Sequence, residues 1–120
     1  MATVLVVDDS VSLRKLVATT LAKVGHQVIE ASNGEAALAA LKGRLFNTII
    51  TELNMPVMDG FTFITNVRAI SAYRFTPILV LTTEMGAERK AQAKAIGATG
   101  WLVKPFDPPQ LLATISRMLA

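Results

Sequence analysis

The sequence predicts an α/β domain built on a parallel sheet with helices on both faces. Three observations predict it. Five short apolar runs recur along the chain: VLVV (4–7), VIEA (28–31), TIIT (48–51), ILVLT (78–82) and WLV (101–103). They are rich in Val and Ile, and most are apolar throughout rather than alternating, as strands buried on both faces are. Between them lie segments with helical spacing, so strand and helix alternate five times, the pattern of a doubly wound sheet.

The first run ends at Asp8-Asp9, and Ser10 is placed to cap the helix that follows. In that helix Leu13, Leu16, Val17, Leu21 and Val24 recur at threes and fours. Gly25 is suited to end it in a left-handed conformation. The second strand, reached through His26, is the most polar and is expected at an edge. The turn-prone Ser32-Asn33-Gly34 leads into a helix over about 33–42. The third strand ends at Glu52, and the turn Asp59-Gly60 opens a helix over about 59–70. The fourth strand ends in Thr82-Thr83 and leads to a helix over about 87–96. After the fifth strand, Pro108 and Pro109 suit a first helical turn, where a missing N–H costs little; that helix is expected over 108–119. Right-handed crossovers leave only a few topologies.

Composition bounds the function. The 120 residues suit one compact domain over 1–120, with no second domain expected. With 52% apolar and 18% charged residues, the chain can build a core. Cysteine is absent, which removes disulfides, thiol catalysis and Cys-based zinc sites and suits a cytoplasmic setting. No apolar run reaches the roughly 18 residues of a membrane span, and Asp8 and Asp9 interrupt the first run too early for a signal peptide. Twelve Lys and Arg against nine Asp and Glu give net +3. These bases are scattered, not clustered among exposed aromatics as direct nucleic-acid binding would require. Arg89, Lys90 and Lys94 share one helix and could meet an acidic protein partner.

In such sheets, ligands bind beyond the carboxyl ends of the strands. There the chain places Asp8-Asp9, Glu52, Thr82 and Lys104. Close carboxylates repel unless a cation joins them, and their oxygens suit a hard ion such as Mg²⁺. With Lys104 nearby, the edge could hold a phosphoryl group, neutralised by metal and ammonium while a carboxylate oxygen attacks phosphorus.

VLVVDDS (4–10) with Arg14, LNMPVMDG (53–60), PILVLTT (77–83) and GATGWLVKPF (97–106) stand in this order along the whole chain. In these motifs the sequence resembles the receiver domains of two-component response regulators, most of all stand-alone regulators of the chemotaxis type. The resemblance implies a flavodoxin-like five-stranded sheet in the order 2-1-3-4-5. It implies that Asp8 and Asp9 hold Mg²⁺, with Asn54 completing the metal site through its carbonyl. Thr82 takes the place of the switch hydroxyl and Lys104 that of the lysine paired with the phosphoacceptor. The Lys104–Pro105 bond is expected to be cis. Trp101 matches an aromatic whose rotamer reports activation, and Asn54 and Glu84 stand where dephosphorylation is tuned. Expected partners are a sensor histidine kinase or phosphotransfer protein and a downstream target, met by a monomer or weak dimer. Trp101, Arg89, Lys90 and Lys94 would line the readout surface. The domain would not be an enzyme in the usual sense, catalysing only its own phosphorylation and dephosphorylation.

Glu52 departs from the family, whose phosphate acceptor here is Asp. The added methylene moves the carboxylate by about 1.5 Å, and a misplacement near 1 Å can cost about a hundredfold in attack. Glu52 is therefore expected to be a poor acceptor, or a partial stand-in for a phosphorylated Asp. Two origins fit: a natural regulator independent of phosphate, or an introduced mimic in a phosphate-switched one. The alternative function is a phosphorylation-independent pseudo-receiver, a pure protein-interaction module. A haloacid dehalogenase-type phosphohydrolase would need an Asp-x-Asp motif, and a flavin binder a Ser/Thr/Gly-rich loop where this chain has DDSVS. His26 is expected far from the acidic edge, and Met55 and Met58 are expected to pack.

Overall fold

The fold, a computed structural model, describes residues 1–120. In chain order the elements are β1 (Thr3–Val7), α1 (Val11–Ala22), β2 (Gln27–Ala31), α2 (Gly34–Gly43), β3 (Thr48–Thr51), α3 (Gly60–Ala69), β4 (Ile78–Thr82), α4 (Ala87–Ala95), β5 (Gly100–Val103) and α5 (Pro108–Leu119), with a 3₁₀ turn at Ser71–Tyr73. The five strands form one parallel sheet in the order β2-β1-β3-β4-β5. The polar strand β2 is at an edge, as its sequence requires.

The all-apolar strands are explained by two cores, one per face. Leu5, Val7, Ile49, Ile78 and Val80 point to one side and pack with Ala37 and Leu41 of α2 and Phe63, Ile64 and Val67 of α3. Val4, Val6, Ile50, Leu79 and Leu81 point to the other, against Val17 and Leu21 of α1 and Leu111 and Ile115 of α5. Alternate residues of each strand thus serve alternate cores. Met55 and Met58 are half-buried against the first core, as expected.

Helix starts follow the capping residues. The side chains of Ser10, Asn33 and Asp59 accept from the backbone N–H of Leu13, Ala36 and Thr62. The apolar stripe read for α1 is narrower than its sequence suggests: Leu16 and Val24 are each 53% exposed. The helix ends at Ala22, so Val24 lies past it. α1 also shares its face of the sheet with α5, leaving room for only a narrow buried strip at Val17, Thr20 and Leu21. Gly25 is left-handed at φ 95°, as its place in the sequence requires.

Arg68 fixes the far end of the molecule. Its guanidinium donates to the carbonyls of Tyr73 (2.8 Å), Thr76 (2.7 Å) and Gly97 (2.7 Å). One side chain thus joins the end of α3, the approach to β4 and the turn after α4. Burial lowers its pKa below the ordinary arginine value.

Candidate functional site

Two central strands end side by side and deliver one carboxylate each. Val7 pairs with Thr51, so the next residues, Asp8 and Glu52, leave adjacent strands at the same level. The ladder runs one step further, with the Glu52 N–H donating to the Val7 carbonyl at 3.0 Å. Thr82 ends β4 opposite Val103 of β5, which places Lys104 beside it; the Lys104 N–H donates to the Thr82 carbonyl at 2.8 Å. The Lys104–Pro105 bond is cis.

Gly60 sets how closely the loop after β3 folds back. Its N–H donates to the Leu53 carbonyl at 2.8 Å. A Cβ at Gly60 would lie 2.6 Å from the Leu53 Cα, nearer than non-bonded carbons approach, so only glycine fits there. The same loop carries Val57 at φ 71°, with the Met58 N–H donating to the Pro56 carbonyl at 2.8 Å. This is a strained three-residue turn at a β-branched residue.

The centre of the site is a buried triad. Lys104 Nζ donates to Asp8 Oδ2 at 2.8 Å and to Glu52 Oε1 at 2.6 Å. All three side chains are largely buried, Lys104 being 13% exposed. The second oxygens are also occupied. Asp8 Oδ1 accepts from the Ser10 N–H at 2.9 Å. Glu52 Oε2 accepts from the N–H groups of Leu53 (2.6 Å) and Asn54 (3.2 Å). The extra methylene of Glu52 is thus used to curl the carboxylate onto the backbone that follows it.

The electrostatics agree with this geometry. Burial pushes the Glu52 carboxyl up, but hydrogen bonds from Lys104, Thr82, Asn54 and Leu53 outweigh it and hold the group below its ordinary value. Burial lowers the Lys104 ammonium, and the bonds and charges of Asp8 and Glu52 more than reverse this, leaving its pKa raised.

Around the triad, the structure sorts the residues singled out in the sequence. Asp9 is exposed and outside the triad. No set of three or more Asp, Glu, His or Cys side chains is placed to hold a metal ion, so Asp8, Asp9 and Glu52 are not gathered as the sequence suggested. The reason is physical: the ammonium of Lys104 lies against both buried carboxylates and supplies the cation they need. In this arrangement the two buried carboxylates are paired with Lys104, and Asp9 stands outside the pair. Thr82 is fully buried, and its hydroxyl accepts from the Glu84 N–H at 3.3 Å. Asn54 Nδ2 donates to Glu84 Oε1 at 3.4 Å across the mouth of the cleft. Arg89 does not join Lys90 and Lys94: it stacks over the Phe61 ring at 4.7 Å and turns toward Glu84 at 3.8 Å. Lys90 and Lys94, four residues apart on one face of α4, instead line a cavity of about 190 Å³ with Ala93, Ala98 and half-buried Trp101. His26 lies at the opposite end of the sheet, where its Nδ1 accepts from the Ala2 N–H at 3.1 Å.

Arg14 has a larger part than its sequence position revealed. Its Nη1 donates to the Asp8 carbonyl at 2.7 Å while its Nε pairs with Glu30 at 3.0 Å. It braces the strand end that carries Asp8. The sequence marked Arg14 only as part of the matching motif, without showing what it would hold.

A doubly wound sheet with an acid–lysine–hydroxyl cleft at its carboxyl edge defines a class: α/β domains that work by the state of that cleft. Comparison with known proteins specifies it. Residues 4–116 match the response regulator receiver domain, and the chain belongs to that family. It is 36% identical to Protein PilG of Pseudomonas aeruginosa over 93% of this chain and 83% of that protein. It is 38% identical to a chemotaxis protein CheY homolog of Campylobacter jejuni over 96% of this chain and 90% of that one. Among solved structures, the Vibrio cholerae chemotaxis protein CheY4 superposes with a TM-score of 0.96 at 54% identity, covering 99% of both chains. The fold, the strand order and the chemotaxis-type receiver kinship read in the sequence therefore hold. No helix is long and apolar enough to cross a membrane.

Proposed function

We propose that this receiver signals through a protein-interaction surface and that Glu52 is a poor phosphate acceptor, holding part of the charge arrangement a phosphorylated Asp would impose. The observation that carries the reading is that both Glu52 oxygens are already bound, one by Lys104 and one by two backbone N–H groups. A carboxylate so engaged is weakened as a nucleophile, because attack on phosphorus requires a free, aligned lone pair.

In this reading Thr82 and Lys104 hold the switch, and Asn54 and Glu84 cover the cleft mouth. The domain acts on no other substrate. Mg²⁺, typical of this family, would share Asp8 with Lys104, while Asp9 is free of that pairing. The readout face is α4, β5 and α5, where Lys90, Lys94 and Trp101 meet a downstream target. A histidine kinase or phosphotransfer protein is the partner by kinship, and the domain works as a monomer or weak dimer. The engaged carboxylate equally favours the limiting form of the reading, a phosphorylation-independent pseudo-receiver.

Incubation with Mg²⁺ and phosphoramidate, followed by intact-mass measurement, tests the acceptor. Little or no acid-stable, base-labile mass gain is expected for the unmutated chain, and clear labelling for Glu52→Asp. Efficient labelling at Glu52 itself would overturn the proposal.

A further inference from the structure

Three loops at the end of the sheet opposite the cleft repeat one pattern. Each carries a base followed at once by an apolar residue: Lys23-Val24 before β2, Arg44-Leu45 before β3 and Arg74-Phe75 before β4. All six side chains are exposed, Leu45 at 78% and Phe75 at 87%. None of these bases joins an ion pair. The Arg74 guanidinium lies over the Phe75 ring, 5.9 Å from its centre.

The loops form one face. The strands concerned stand in the order β2-β1-β3-β4. Across their starts, His26 Nδ1 accepts from the Ala2 N–H at 3.1 Å, and Asn47 Oδ1 accepts from the Thr3 N–H at 2.7 Å. The Tyr73 hydroxyl donates to the Arg44 carbonyl at 2.8 Å. Charge divides between the two ends of the sheet. All nine Asp and Glu lie on the cleft half: in the loops after the strands, in first helical turns or, for Glu30, near the end of β2. The bases are scattered along the sequence, yet the fold leaves this end with positive charge and no acidic side chain.

We infer that this face docks on the surface of an anionic bilayer, its bases meeting the headgroup phosphates and its apolar tips entering the boundary beneath them. An apolar side chain beside a base is how a peripheral protein holds to such a surface, since the two contributions act together. Single exposed apolar residues are ordinary on any protein; the same pairing at three neighbouring loops on an acid-free end is not. Val24, Leu45 and Phe75 project singly and line neither cavity of the molecule. They suit a soft surface that yields around each tip, rather than a rigid partner that must offer a socket for each. A nucleic acid would use the bases through its phosphates and leave Val24 and Leu45 idle. Docked this way, the domain holds its cleft away from the bilayer and open to other proteins. The inference is independent of the state of Glu52.

The experiment is co-sedimentation of the full chain with vesicles of phosphatidylcholine alone, and of two parts phosphatidylcholine to one part phosphatidylserine, at low and high salt. The expected result is binding to the mixed vesicles at low salt, little binding to phosphatidylcholine alone, and release at high salt. Arg74→Glu should weaken binding about twentyfold, since each unit of charge at an anionic surface is worth about fivefold. Lys15→Glu makes the same change in net charge at an exposed site on the cleft half, and should leave binding in place. Leu45→Ser/Phe75→Ser should weaken binding by about tenfold or more, as buried apolar area is lost. The substituted residues are exposed, and an unchanged Tm confirms that each variant is folded. An unmutated chain that stays in solution beside the mixed vesicles at low salt overturns the inference. So does equal weakening by Lys15→Glu, which would assign binding to net charge alone. Unchanged binding of Leu45→Ser/Phe75→Ser, or tighter retention on duplex DNA or polyglutamate than on the mixed vesicles, overturns the choice of a bilayer.

Discussion

Lys104 Nζ lies 2.6 Å from Glu52 Oε1 and 2.8 Å from Asp8 Oδ2, so one ammonium serves two buried carboxylates from neighbouring strands. The two partners of this pairing are not equivalent. Asp8 keeps a cation if Glu52 is removed, whereas both acids lose theirs if Lys104 is removed.

Lys104→Met is therefore expected to destabilise the fold by about 3 kcal/mol, the cost of leaving buried charge uncompensated. Glu52→Ala should cost clearly less, since the Asp8–Lys104 pair survives it. Urea unfolding of the two variants compares them directly, and equal losses would mean that the ammonium is not shared.

The pH profile follows from the two shifted groups. The folded-state pKa of Glu52 lies below the ordinary 4.5, so its stabilisation is present above that value and is lost as pH falls through the folded-state pKa. The folded-state pKa of Lys104 lies above the ordinary 10.5, so its stabilisation is present below that value and is lost as pH rises through the folded-state pKa. Glu52→Gln should remove part of the acid-side loss. Denaturant midpoints measured from neutral pH down through 4.5 check this, and superimposable slopes for the two proteins would contradict it.

Shortening the acid changes what competes for Lys104. Glu52→Asp loses the hydrogen bonds its carboxylate accepts from the Leu53 and Asn54 N–H groups, and Mg²⁺ affinity should rise roughly tenfold, the equivalent of about one net hydrogen bond. Isothermal titration of Mg²⁺ into both proteins reads this, and unchanged affinity would show that the curled carboxylate does not restrain the site.

Val57 offers a test of backbone strain. At φ 71° and 73% exposed, it holds an unfavourable conformation with little packing in return. Val57→Asn should stabilise by about 1 kcal/mol, because Asn tolerates the left-handed region that a β-branched residue resists. A Tm at or below that of the unmutated chain would indicate that Val57 contributes through contacts the strain argument ignores.

Much of this was legible in the sequence because it is written in local chemistry. Val- and Ile-rich runs without alternation announced strands covered on both faces. Ser10, Asn33 and Asp59 stood where helix starts need an acceptor, and each caps its helix. Adjacent strand ends brought Asp8, Glu52, Thr82 and Lys104 together. What stayed hidden depends on side-chain torsions and tertiary crowding. The spacing of Leu16 and Val24 gave no sign that α5 would share that face of the sheet or that the helix would stop at Ala22. Asp8 and Asp9 are neighbours in sequence, yet one is buried in the triad and the other faces water. Arg89 shares a helix with Lys90 and Lys94, but a rotation of about 100° per residue turns it to Phe61 instead. Glu52 could have reached outward past Lys104, and only coordinates show it curled onto Leu53 and Asn54.

Helix α4 is anchored unevenly. Its trailing turn is clamped by Arg68 through the Gly97 carbonyl. Its leading residue, Gly86, supplies no side-chain cap, and the ties there are Arg89 over the Phe61 ring at 4.7 Å and the Glu84 contacts at 3.4 and 3.8 Å. The helix is thus held to a backbone carbonyl at its far end and by side chains at the end that follows Thr82. Any shift of that near end would carry with it the face that bears Lys90 and Lys94, which lie on the same short helix.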